Sequence, residues 1–169
     1  MAAQTGVNSF FINYVTESIP GVSNKTAALI LYFGGMGLFW AGRLSGSMLM
    51  KRITPQHLLS LYAFLCILMM LLVVAGFGWI SVIALFSTYF FMSVMFPTIF
   101  VLGLKDLGSL TKKASSWLVM AIVGGALCPM AMGYIADHSS MQWGYIIPMV
   151  CFGVVLYFGV KGYRIKNSE

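Results

Sequence analysis

Apolar residues in this chain gather in six long runs, near residues 2 to 20, 26 to 49, 57 to 76, 79 to 104, 114 to 136 and 142 to 161, separated by short polar breaks. A hydrocarbon core about 30 Å thick needs roughly 20 apolar residues at helical rise. The pattern therefore predicts an all-α membrane protein: one six-helix transmembrane domain over residues 1–169, ending in a tail at 162–169. Strands of a barrel are a poor fit. A lipid-facing strand alternates over about 10 residues, whereas Leu65 to Val74 reads LCILMMLLVV without alternation.

Composition supports the same reading. Hydrophobic residues make up 60% of the chain, charged residues 8%, and the mean hydropathy is +0.91. A soluble domain carries about a quarter charged residues, so no water-soluble fold hides this much apolar surface. The few cations are unevenly placed. Lys51 and Arg52 lie in the second gap, Lys105, Lys112 and Lys113 in the fourth, and Lys161, Arg164 and Lys166 at the end of the chain, all on one side if six spans alternate. The opposite gaps hold Lys25 with Glu17, Asp137 and His138, and the gap at Gly76 to Gly78 has no charge. The positive-inside rule then puts both termini in the cytoplasm. The net charge of +6 reports this topology, and no basic face outside the bilayer is large enough to hold nucleic acid.

Met1 opens directly on an apolar run with no basic lead, unlike a secretory signal. The first span is also unusually polar, carrying Gln4, Thr5, Asn8, Ser9 and Asn13. It reads as an interior helix whose partner lies elsewhere. Cys66, Cys128 and Cys151 fall inside spans with no CxxC or metal-type spacing, which implies apolar fillers and neither a disulfide, a metal nor a cofactor.

With no soluble domain, function must lie between the helices, and polar residues inside apolar spans mark the place. Gln4, Asn8 and Phe11 follow one helical face. Amides bond sugar hydroxyls and an aromatic ring covers the apolar face of a pyranose; the alternative is that the amides join neighbouring helices, which is the expectation for Asn13. In the second span Tyr32, Phe39 and Arg43 are spaced by seven and four, again on one face. Arg43 either snorkels to the cytoplasmic surface or faces a cavity, pairing with a carboxylate or a substrate hydroxyl. Gly42 and Gly46 around it form a GxxxG that permits close helix approach. The fourth span carries Tyr89, Ser93 and Phe96 on one stripe and then Pro97, which frees a carbonyl one turn back and bends the helix. Ordinary packing is the competing explanation of that stripe. The fifth opens with Ser115, Ser116 and Trp117 and continues with Gly124, Gly125, Pro129 and Gly133, a flexible small-residue helix.

The stretches AQTGVNSFFINY at 3 to 14, GRLSGSMLMKR at 42 to 52, MFPTIFVLGLKDLG at 95 to 108 and SSWLVMAIVGGALCPMAMGYIAD at 115 to 137 resemble the C-terminal half of the fucose:proton symporter family. That family, of L-fucose permease and glucose/galactose transporter type, lies within the major facilitator superfamily. The resemblance runs in order along essentially the whole chain. It implies helices 7 to 12 of a twelve-helix transporter of the cell membrane, moving a monosaccharide (fucose, galactose or glucose) together with a proton by alternating access. The family's cavity aromatics match Phe39 and Phe96, the latter a Tyr in the permease. Gln4 and Asn8 fall on the cavity face, and Arg43 matches the Arg of a Gly-Arg pair. The expected substrate wall is Gln4, Asn8, Phe39, Phe96 and Tyr89, with Tyr32, Arg43, Ser93, Pro97 and Trp117 shaping or gating the cavity.

One departure matters. The acids here are Glu17, Asp106, Asp137 and Glu169, all at span ends or beyond, so no intramembrane proton carrier is present. The family keeps such acids in its N-terminal half. The expectation is a fragment, split-gene product or half that requires a missing N-terminal six-helix partner. Two rival classes fare worse. An intramembrane serine protease needs a GxSG serine and a histidine within another span, but Ser45 sits in Gly42-Arg43-Leu44-Ser45-Gly46 and both histidines lie at span edges. A channel needs a filter segment or a charged ring, and neither is visible.

Overall fold

The computed structural model describes residues 1–104 and 110–162. Six helical spans follow one another: α1 (Ala2–Ser18), α2 (Asn24–Leu49), α3 (Pro55–Ala75), α4 (Trp79–Leu104), α5 (Thr111–His138) and α6 (Met141–Gly162). All but α1, which has 17 residues, are long and apolar enough to cross a membrane. Lys105, Asp106, Arg164, Lys166 and Glu169, and with them the Lys-Asp-Leu-Gly end of the third quoted stretch, lie outside the described residues.

Sequence sets the helix ends. Ser23 caps α2 by accepting the Thr26 N–H, and Pro55 starts α3, where its missing N–H costs nothing. Gly76 ends α3 in the left-handed region at φ +71°, followed by Gly78 at φ +57°, a conformation that costs other residues strain. A Cβ at Gly76 would also strike the Gln142 side chain at 2.6 Å. Ser81 closes the turn, donating to the Leu72 carbonyl at 2.6 Å and accepting the Phe77 N–H at 2.8 Å. From across the bundle Tyr14 donates to the Val73 carbonyl at 2.8 Å. The Leu72 and Val73 carbonyls near the end of α3 are thus satisfied without solvent, as a lipid setting demands.

The principal packing pairs are α3 with α4, α2 with α4, α3 with α6, and α1 with α5 and α6. Small residues make the closest approaches. A Cβ on Gly42 would lie 2.3 Å from the Phe90 carbonyl, and one on Gly46 would lie 2.3 Å from Val94, so the GxxxG seats α2 on α4 as its spacing predicts. Gly6 does the same for α1 against Cys128 and Met132 of α5. The core is a band of Val7, Phe11, Tyr14, Leu85, Tyr89 and Tyr145, all fully enclosed, with Phe11 edge-on to Phe86 and Tyr89 at ring distances of 5.2 and 5.8 Å. Three polar side chains farther along α4 bond to their own helix. Thr88 donates to Ala84 O, Ser93 to Phe90 O and Thr98 to Val94 O.

Apart from the π-helical end of α6 at Phe158–Gly162, two spans are irregular among the described residues. Residues Ile30–Gly35 of α2 form a π-helical stretch, and Ala121–Val123 tighten to a 3₁₀ turn just before Gly124 and Gly125 of α5. These two helices are also the least enclosed, with Tyr32, Phe33, Trp40, Trp117, Val123 and Met130 all more than half exposed.

Candidate functional site

Helix α4 organises the site because Phe96, one turn from the centre of its buried stripe, stands between two clefts. The larger, of about 560 Å³, lies between α2 and α4 and is bounded by Arg43, Ser47, Met50, Val94, Phe96 and Pro97. Its volume is within the range of small-molecule pockets, roughly 300–1,000 Å³. The smaller, of about 270 Å³, lies among α1, α4 and α6 and is bounded by Gln4, Met92, Met95, Phe96, Ile99 and Cys151. One cleft therefore offers a guanidinium and a hydroxyl against an apolar wall, the other a carboxamide against methionines and the same phenylalanine. Polar groups set sparsely on an apolar surface are what a ligand with hydroxyls and C–H faces requires.

Arg43 is held from two directions. Its Nη2 donates to the Ser93 carbonyl at 3.5 Å, and its guanidinium carbon sits 5.3 Å from the centre of the Phe39 ring, within cation–π range. The Phe39–Arg43 spacing of four, legible in the sequence, places ring and cation one above the other. Asn8 is half-buried, and its Oδ1 is enclosed without a hydrogen-bond partner among the described residues. An enclosed acceptor left open is costly, a condition Asn8 shares with the Ser18, Tyr89 and Tyr145 hydroxyls.

Other expected residues sit elsewhere. Tyr89 is 0% exposed, packed against Phe11, and lines neither cleft. Ser93 is buried, its hydroxyl bonded to Phe90 O, and it reaches the site through its backbone carbonyl. Tyr32 and Trp117 are 70% and 67% exposed on α2 and α5 and line neither cleft. Tyr32 belongs to the π-helical stretch, through which a spacing of seven does not preserve register. Phe11 departs from the expected amide face and joins the core, because the buried stripe through Val7 and Tyr14 is wide enough to include it. Asn13 is exposed, which leaves it no role in joining helices. Glu17 and Asp137 are exposed at helix ends. Sequence reasoning missed Ser47, one turn beyond Arg43, and the Met92–Met95–Ile99 stripe beside Phe96; helical periodicity from those two anchors finds both.

No family model matches the sequence. The crystal structure of the Escherichia coli fucose:proton symporter superposes on the chain with a TM-score of 0.94 at 36% identity, covering 98% of this chain and 40% of that one. The chain is homologous to part of a fucose:proton symporter of the major facilitator superfamily. A second crystal structure, of that symporter in the outward conformation, gives a TM-score of 0.93 with the same coverage. Among curated proteins, the L-fucose-proton symporter of Escherichia coli is 38% identical over 159 residues, 94% of this chain and 36% of the relative. A putative glucose/galactose transporter of Helicobacter pylori is 35% identical, covering 100% of this chain and 42% of its own length. The chain thus spans about two fifths of the length of these symporter relatives, and its six helices form a multi-pass membrane protein with their fold.

Proposed function

We propose that the chain supplies the C-terminal half, helices 7 to 12, of a proton-coupled monosaccharide transporter in the cell membrane, with both termini cytoplasmic, and that it is inactive until joined by an N-terminal six-helix half. The observation that carries this reading is the placement of Phe96 between two clefts, with Arg43 in one and Gln4 in the other. Names of the relatives add fucose, glucose and galactose as the sugars to test. Gln4 and Asn8 bond sugar hydroxyls, Phe96 and Phe39 form apolar walls, and Arg43 donates to a hydroxyl at the α2 side. The proton carrier belongs to the other half, since Glu17 and Asp137 stand exposed at helix ends. Transport proceeds by rocking one half against the other about this centre.

The test is co-reconstitution of the chain in liposomes with the N-terminal six helices of a fucose symporter, followed by counterflow of fucose, galactose and glucose. Sugar-driven proton uptake is expected from the pair and not from the chain alone. Asn8→Ala and Phe39→Ala should each lower it about tenfold, the equivalent of roughly one charged or well-placed hydrogen bond. Unchanged uptake in both variants removes the proposed site, and uptake by the isolated chain removes the need for a partner.

A further inference from the structure

Arg43 is an unusual side chain to find fixed in place. It is exposed on its own helix, yet both its guanidinium contacts are made. The acceptor it uses is a backbone carbonyl within α4, and such a carbonyl is normally occupied. In a regular α-helix the Ser93 carbonyl accepts the N–H of the residue four positions on. That residue is Pro97, which lies inside α4 and has no N–H to give. The Ser93 carbonyl is therefore vacated by the sequence itself, and the group that takes it is Arg43 Nη2 at 3.5 Å.

We propose that Pro97 is a positioning residue for Arg43: by withholding its amide it hands the Ser93 carbonyl to the guanidinium, which fixes the cation over Phe39 at the wall of the α2–α4 cleft. Gly42 completes the device. A Cβ at that position would lie 2.6 Å from the Ser93 hydroxyl and 2.3 Å from the Phe90 carbonyl, so only a glycine lets α2 come near enough for its next residue to reach across. The Gly-Arg pair on α2 and the proline on α4 thus form one unit. A guanidinium carries five N–H groups; one is held by Ser93 O, and since Arg43 borders the cleft the others are left for a ligand hydroxyl or a carboxylate. Any movement of α4 at Pro97 that displaces this carbonyl releases the cation, so the backbone of one helix and the charge on another are linked. The purpose of the unit rests on the sugar-cavity reading above, while its existence does not.

The experiment reads Arg43 directly, without transport. The full chain in lipid nanodiscs is treated with phenylglyoxal, an arginine-selective reagent, and modification of Arg43 is timed by peptide mass spectrometry with Arg52 as an internal reference. Pro97→Ala restores the amide that competes for Ser93 O, and Arg43 is expected to react about tenfold faster, in line with losing a hydrogen bond to a charged group, with Arg52 unchanged. A second variant carries lactic acid in place of residue 97, giving a backbone ester that lacks both the N–H and the ring. It should react as slowly as the native chain. The proposal is overturned if Pro97→Ala leaves the Arg43 rate unchanged, or if the ester accelerates it as alanine does, which would assign the effect to the ring.

Discussion

Tyr14 and Tyr145 pack edge to face with ring centres 5.0 Å apart, but their hydroxyls have different fates. Tyr14 donates to the Val73 carbonyl, whereas the hydroxyls of Tyr145 and Tyr89 are enclosed with no partner among the described residues. A buried hydrogen bond contributes about 1 kcal/mol and an unpaired buried hydroxyl opposes folding. Thermal unfolding in detergent should therefore fall by several degrees for Tyr14→Phe, while Tyr89→Phe and Tyr145→Phe should leave it unchanged or raise it. Equal losses in all three would show that the enclosed hydroxyls are bonded. Tyr89 also shows how far single residues were legible. Its position on a stripe with Ser93 and Phe96 was readable from spacing, but a stripe does not reveal which member ends under a neighbouring ring, and Phe11 of α1 covers this one. Phe39 and Arg43 were legible as a pair because stacking along one helix depends on spacing alone.

At the scale of elements, glycines decide how close helices come. Gly42 and Gly46 press α2 onto α4, while Gly37 on the same helix has nothing within 4 Å of a would-be Cβ. Gly42→Leu should lower the unfolding midpoint by an amount equivalent to about 1–3 kcal/mol of overpacking. Gly37→Ala should instead be neutral or slightly stabilising, because alanine favours a helix. Equal effects at both positions would mean that α2 does not seat on this seam. Helix number and order were legible because run length and polar breaks report directly on a bilayer. The π-helical stretch at Ile30–Gly35 was not. An extra residue in a helical turn leaves no mark on an apolar run such as ILYFGG, and the face assigned to Tyr32 depended on a regular register.

Across the whole molecule charge and burial are arranged along two directions. Along the helix axes, Lys51, Arg52, Lys112, Lys113 and Lys161 gather toward one end of the spans, and Lys25 lies toward the other. A membrane-impermeant maleimide added to intact cells should label Lys25→Cys and spare Lys51→Cys; the opposite pattern would invert the proposed topology. Across the bundle, α2 and α5 leave Tyr32, Trp40, Trp117 and Met130 exposed. Either lipid or a further protein surface covers such rings, and no pattern within a single chain distinguishes the two, since both are apolar. Under the proposed pairing with a second six-helix half, protein covers the rings.

The turn between α3 and α4 also bears on how the chain is made. With three residues, two of them left-handed glycines, and its amide and carbonyl groups clamped by Ser81 and Tyr14, it gives neither helix room to enter lipid by itself. Insertion of α3 and α4 as one paired hairpin is the expected outcome, which crosslinking of the two helices in arrested nascent chains would check.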